Sequence, residues 1–189
     1  MEKKDIIIIG GSAGSIEVMM RILPLIPANF PIPVILVLHR KSSTENITAS
    51  VFQSKSEITI IEAEDKMKIE SGYIYLAPSG YHLLFEKDKS FSMDFSEKVN
   101  YSRPSIDVSM ESIVDVYKNK IIGILLTGAN SDGAKGLRHI KEAGGLTIIQ
   151  SIDSSIMAEM PLAALKLFEP NKMLNPEEIA LFLININKN

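Results

Sequence analysis

Apolar residues enter this chain as short solid runs, separated by stretches with helical spacing. Ile6-Ile7-Ile8-Ile9 follows Asp5 and leads into Gly10-Gly11-Ser12-Ala13-Gly14. A β-branched run with no polar alternation predicts a strand buried on both faces, as in a parallel sheet covered by helices. Ile16, Met19, Met20 and Leu23 then share one face at helical spacing. Val34-Ile35-Leu36-Val37-Leu38 repeats the strand pattern and ends at His39-Arg40-Lys41. The polar turn Ser42-Ser43-Thr44-Glu45 predicts a helix start, with the helix running to about Gln53, and Ile58-Thr59-Ile60-Ile61 predicts a third strand.

The middle of the chain changes period. Tyr73 to Pro78, Tyr81 to Phe85 and Phe91 to Phe95 are short and alternating, with turn residues between them. They predict a hairpin inserted in the α/β pattern. Ser96 to Arg103 reads as a loop, and Ser105 as the N-cap of a helix to about Lys118. Strand and helix alternation then resumes. Ile121 to Leu126 predicts a strand, a helix follows to Glu142, and Ala143-Gly144-Gly145 stops it. Leu146 to Ile149 predicts a strand, Met160-Pro161 a helix with proline at its first position, and Asn175-Pro176-Glu177-Glu178 the cap of a last helix. The expected fold is α/β: a doubly wound, mostly parallel sheet of Rossmann-like three-layer form with an inserted β-hairpin. Residues 1–189 read as one domain, with no repeat, linker or internal boundary.

Composition narrows the functional classes. Forty-six per cent hydrophobic and 23% charged residues describe an ordinary globular protein. Twenty basic against 23 acidic residues give no basic footprint for nucleic acid. The absence of cysteine excludes disulfides, thiol catalysis and cysteine metal sites. Met1-Glu2-Lys3-Lys4 leads straight into the first strand without a signal peptide, and no apolar run reaches the ~20 residues of a membrane helix. The expectation is a cytoplasmic enzyme or binding protein, not inserted in a membrane, with a monomer favoured.

Three strands end in reactive side chains: Ser12 after the first, His39 after the second, Asp132 a few residues past Leu126. Ligands of open α/β sheets bind beyond the carboxyl ends of the strands. If these strands are neighbours, the three residues assemble a hydrolytic triad: serine as nucleophile, imidazole as base, carboxylate as its orienting partner. Gly10-Gly11-Ser12-Ala13-Gly14 fits the G-x-S-x-G nucleophile turn. It also half-fits a dinucleotide loop, with Ser12 and Ser15 in place of two glycines, and it fits a plain turn whose serine caps the helix. His39 alone reads equally as a structural strand-end histidine, and Asp132 as the N-cap of its own helix. His82, in the hairpin, and His139, inside a helix, show no metal-ligand spacing with His39.

The chain resembles the catalytic domain of the chemotaxis protein-glutamate methylesterases, the CheB family. Ile9 to Gly14 resembles the family's nucleophile turn, and Val37-Leu38-His39 its strand-end histidine. Tyr75-Leu76-Ala77-Pro78 with Tyr81-His82-Leu83, and Arg103-Pro104-Ser105-Ile106-Asp107, resemble two further segments. Leu126-Thr127-Gly128 with Asp132-Gly133-Ala134 resembles its aspartate loop, and Ala143-Gly144-Gly145, Gln150 and Met160-Pro161 continue the match in order. Ala13 stands where the family usually has threonine, and Ala129-Asn130 where its loop commonly reads Met-Gly.

That resemblance implies Ser12 as nucleophile, His39 as base and Asp132 as orienting carboxylate. The implied substrate is a glutamate γ-methyl ester on the cytoplasmic helices of a chemoreceptor, with glutamine deamidation as a related activity and no metal or organic cofactor. The backbone N–H of Ala13 is the expected oxyanion donor, with a second from the Gly128-Ala129 turn, and Arg103 is expected on the site rim. The family usually carries an N-terminal receiver domain. This chain opens at the first catalytic strand, so the expectation is a catalytic domain without it, free-standing or part of a larger protein. Three alternatives remain open: a binding module of the same fold, an esterase for another methylated protein, and a dinucleotide enzyme, which the basic end of the second strand disfavours.

Overall fold

The computed structural model describes residues 4–40 and 45–186. Its main sheet has seven strands: β1 (Ile6–Gly11), β2 (Val34–Leu38), β3 (Thr59–Glu62), β4 (Tyr73–Leu76), and, after the hairpin strands β5 (His82–Phe85) and β6 (Phe91–Asp94), β7 (Ile121–Leu125), β8 (Leu146–Gln150) and β9 (Lys172–Leu174). The order across the sheet is β3-β4-β2-β1-β7-β8-β9. Every pair is parallel. The helices are α1 (Ser15–Ile22), α2 (Glu45–Gln53), α3 (Ile106–Tyr117), α4 (Ala134–Glu142), α5 (Glu159–Leu165) and α6 (Pro176–Asn185).

The isoleucine run of β1 explains the three layers. Successive side chains of a strand point to opposite faces. Ile7 and Ile9 pack with Val18, Met19 and Ile22 of α1, Phe52 of α2, and Ile179 and Leu183 of α6. Ile6 and Ile8 pack on the other face with Ile106, Met110 and Ile113 of α3, Leu137 and Ile140 of α4, and Leu83, Phe85 and Phe91 of the hairpin. Both faces need apolar cover, so the run has no polar alternation. The helices on both sides and the parallel sheet are those of the expected fold class.

Several expectations are corrected in detail. The segment at Tyr73 joins the main sheet between β2 and β3, so only β5 and β6 form the inserted antiparallel hairpin. Its Tyr-Ile-Tyr-Leu alternation arises because Tyr73 lies towards the edge of the hydrophobic face, not because one face meets water. Strand β9, three residues at the sheet edge, has no counterpart in the expected elements. Pro161 is the third residue of α5, not the first. The last helix opens as expected, with a full capping box between Asn175 and Glu178. The turn Ser42-Ser43-Thr44 lies outside the described residues.

Candidate active site

β1 sits at the centre, with β2 on one side and β7 on the other, so the chain reverses direction of travel across the sheet at this strand. Such a switch opens a crevice beyond the carboxyl ends of the strands. The sheet pattern continues into that crevice. His39 N–H donates to Gly11 O (3.0 Å), and Ser12 N–H donates to Thr127 O (3.0 Å). These bonds hold Ser12, His39 and the Asp132 loop at one level above three adjacent strands.

Ser12 does not cap α1. The N-cap is Gly14, and the Ser12 carbonyl accepts from Ser15 N–H and Ser15 Oγ. The Ser12 hydroxyl lies 3.2 Å from His39 Nδ1. The opposite ring nitrogen, His39 Nε2, lies 2.8 Å from Asp132 Oδ2. An ionised carboxylate only accepts, so Nε2 carries the ring proton and Nδ1 turns its lone pair to Ser12 Oγ. Ser102 Oγ (3.4 Å) and Asn130 Nδ2 (3.5 Å) also approach Nδ1. The three sequence-predicted residues are therefore brought together in the order serine, imidazole, carboxylate.

Asp132 does not cap its own helix either, since the N-cap of α4 is Gly133. Its carboxylate instead receives the first N–H groups of α3. Ile106 N–H donates to Oδ2 (2.7 Å), and Asp107 N–H donates to Oδ1 (3.1 Å). Ser105 Oγ adds a donor to Oδ1 (2.8 Å), and Asn100 Nδ2 another (3.4 Å). The group is 0% exposed. Burial pushes its carboxyl up, but the bonds from His39, Ile106, Ser105 and Asp107 together outweigh it and hold the carboxyl below the ordinary range. The positive end of the α3 dipole favours the same ionised form.

Gly10 makes this approach of α3 to β1 feasible. A Cβ there would lie 2.3 Å from Ile106 Cγ2. His82 fixes the same helix start from the hairpin side: it is buried, accepts from Ser105 N–H through Nδ1 (3.1 Å) and donates to Glu97 O through Nε2 (3.0 Å). His139 lies away from this network, 3.4 Å from Glu111.

Ala13 and Ala129 are exposed, and neither N–H has a partner among the described residues. Gly128 N–H is committed to Met157 O (3.0 Å), so Ala129 is the residue of that turn with an N–H left for a substrate oxygen. Thr127 Oγ1 accepts from Met157 N–H (2.8 Å) and lies 3.1 Å from Ala13 O, tying the loop before α5 to the serine turn. Arg103 shares a cleft of about 550 Å³ with His39. Its guanidinium donates to Phe95 O and Ser96 O and stacks 4.0 Å from the Phe95 ring centroid.

Comparison of the whole chain with known proteins identifies its lineage. The sequence model of the family described as CheB methylesterase matches residues 7–183. The chain belongs to the CheB methylesterase family. A CheB relative from Leptospira interrogans is 45% identical over 185 residues, 98% of this chain and 96% of that protein. The Archaeoglobus fulgidus protein-glutamate methylesterase/protein-glutamine glutaminase is 36% identical over 168 residues, 87% of this chain and 48% of that one. The crystal structure of the Thermotoga maritima CheB methylesterase catalytic domain matches with a TM-score of 0.92 at 32% identity, over 97% of this chain and 99% of that one. The chain thus spans nearly all of one CheB relative and about half of another.

The sequence pattern does not reveal the residues that surround the Asp132 carboxylate. Nothing local marks Asn100 or Asp107 as partners of Asp132, and Ser105 reads only as a helix cap. The one signal was the Arg103-Pro104-Ser105-Ile106-Asp107 segment, which marks a helix start but not what that start encloses.

Proposed function

We propose that this chain is a serine hydrolase that removes methyl groups from glutamate γ-methyl esters of a protein substrate, the cytoplasmic helices of a chemoreceptor. The observation that carries the reading is one imidazole bonded on one side to a buried, ionised carboxylate and on the other to a serine hydroxyl. Ser12 Oγ attacks the ester carbonyl while His39 Nδ1 takes its proton. Asp132 keeps the proton of Nε2 in place and stabilises the imidazolium that forms. The carbonyl oxygen gains charge facing the N–H groups of Ala13 and Ala129. The C–O bond then breaks, and His39 returns its proton to the departing methanol. Water, deprotonated by the same nitrogen, releases glutamate and restores Ser12. An amide at the same position follows the same steps with ammonia leaving, which makes glutamine deamidation the companion activity.

The decisive experiment follows methanol release from a radiolabelled, methylated chemoreceptor, with wild type beside Ser12→Ala. Release by the wild type and its loss in the variant support the reading. A fluorophosphonate probe that labels wild type but not Ser12→Ala supports an activated serine independently. A non-catalytic binding module would give neither signal.

A further inference from the structure

The loop between β6 and α3 closes on a two-residue turn. Val99 and Ser102 exchange backbone hydrogen bonds of 3.2 and 2.9 Å across Asn100 and Tyr101, whose φ angles are 50° and 63°. Both positions of such a turn are left-handed, and the second strongly favours glycine. Asn100 is compensated, because asparagine tolerates this region and its carboxamide reaches Asp107 (3.3 Å) and Asp132 (3.4 Å). Tyr101 is not. Its ring is 97% exposed and makes no hydrogen bond or ring contact among the described residues. The fold gains nothing from this side chain and bears its backbone strain. Uncompensated strain of this kind gathers where ligands are held.

The position of the ring says which ligand. Tyr101 lines the same 550 Å³ cleft as His39, Lys98, Ser102 and Arg103. Its neighbour Ser102 places Oγ 3.4 Å from His39 Nδ1. Beyond Arg103, Phe95 is exposed and packs against the exposed Tyr81 at 5.6 Å. Exposed aromatics grouped around an arginine are the composition of protein-recognition surfaces. The cleft is larger than one methyl ester requires, and Lys98 and Arg103 favour an acidic flank. We propose that Tyr101 is a specificity-determining residue that packs on the polypeptide flanking the glutamyl ester, so that the site selects a protein ester over a small one. The assignment rests on the functional reading above.

The test compares kcat/KM for a methylated chemoreceptor with that for p-nitrophenyl acetate, in wild type, Tyr101→Gly and Tyr101→Phe. Glycine relieves the left-handed backbone, and an exposed ring leaves little buried area behind, so Tm is expected to stay level or rise. The receptor-to-small-ester ratio is expected to fall about tenfold in Tyr101→Gly, through KM more than kcat, and to be restored in Tyr101→Phe. An unchanged ratio in Tyr101→Gly overturns the assignment. So does an equal loss on both esters together with a lower Tm, which would mark a structural role. The two failures are separable: no methanol from wild type overturns the functional reading and the assignment with it, whereas methanol release with an unchanged ratio overturns the assignment alone.

Discussion

Asp107 and Asp132 cap each other's helices. Asp132, just before α4, receives the N–H groups of Ile106 and Asp107 at the start of α3. Asp107, in the first turn of α3, receives Gly136 N–H of α4 at 2.8 Å. Asn100 Nδ2 reaches both carboxylates. The exchange locks the two helix starts together, and the catalytic candidate Asp132 is held by a helix distant in sequence.

The two carboxyls respond oppositely to pH. Burial raises that of Asp107, Gly136 N–H lowers it, the charge of Asp132 raises it again, and the net shift is upward. Ionising a group with a raised folded pKa costs stability, so its contribution declines as pH rises from about 4, the ordinary carboxyl value, through the raised one. Asp132 is shifted down, so its contribution is present above about pH 4 and is lost as pH falls through its depressed value. Asp107→Asn removes only the first effect. The Tm difference, variant minus wild type, is expected to become more positive between pH 4 and pH 7, and thermal melts across that range measure it.

Asp132→Asn replaces an acceptor that meets five donors with a group that is half donor. A carboxamide NH₂ turned to His39 Nε2 would move the ring proton to Nδ1, where it faces Ser12 instead of accepting from it. The expected loss in kcat is about 10²–10⁴-fold, with the folded state retained by circular dichroism.

Ser105→Ala deletes a donor to Asp132 Oδ1 and the side-chain acceptor for Val108 N–H, which are 2.8 and 3.4 Å away. The lost cap costs about 1–2 kcal/mol. For a folded chain of this length that lowers Tm by about 2–8 °C. Because Asp132 keeps its remaining partners, activity is expected to fall only about tenfold, readable as initial rates of ester hydrolysis.

Gly128→Ala tests how closely the turn after β7 packs on the serine. The added Cβ would meet Met160 Cε at 2.6 Å, Met160 Sδ at 2.7 Å and Ser12 Cβ at 3.0 Å. The methionine tip can swing away, whereas Ser12 Cβ is fixed by a backbone bonded to Thr127 O. Overpacking of this kind costs about 1–3 kcal/mol. Fluorophosphonate labelling of Ser12 is expected to slow at least tenfold, more than the accompanying fall in Tm would account for.

The strand-end residues were legible because the signal there is local: an apolar run stops, glycines turn the chain, and a reactive side chain follows. That pattern puts Ser12, His39 and Asp132 on one edge only if their strands are neighbours, and the order β2-β1-β7 makes them so. The surroundings of Asp132 were not legible, because a helix cap is ordinarily read from the helix that follows it. Here the helix capped by Asp132 begins 26 residues earlier, at Ile106. Tyr73 reads with the hairpin for a related reason, since alternation in a short strand reports partial burial and not the sheet it joins. Lys172-Met173-Leu174 is too short and too exposed to announce an edge strand. The commitment of the Gly128 N–H depends on Met157, a contact between separate loops that no local pattern records.

The three strands beneath the candidate site are adjacent in space but not in time of synthesis. Ser12 and His39 lie 27 positions apart, and Asp132 follows His39 by another 93. A growing chain therefore exposes its serine turn long before the carboxylate that orients the imidazole has left the ribosome. No contiguous fragment that ends before β7 holds the full set, and a nick between β2 and β7 that lets the pieces part would dissolve it. On the proposed reading, reactivity arrives only once β7 and the loop that follows it have joined β1 and β2, so an unfinished or broken copy is expected to be chemically silent.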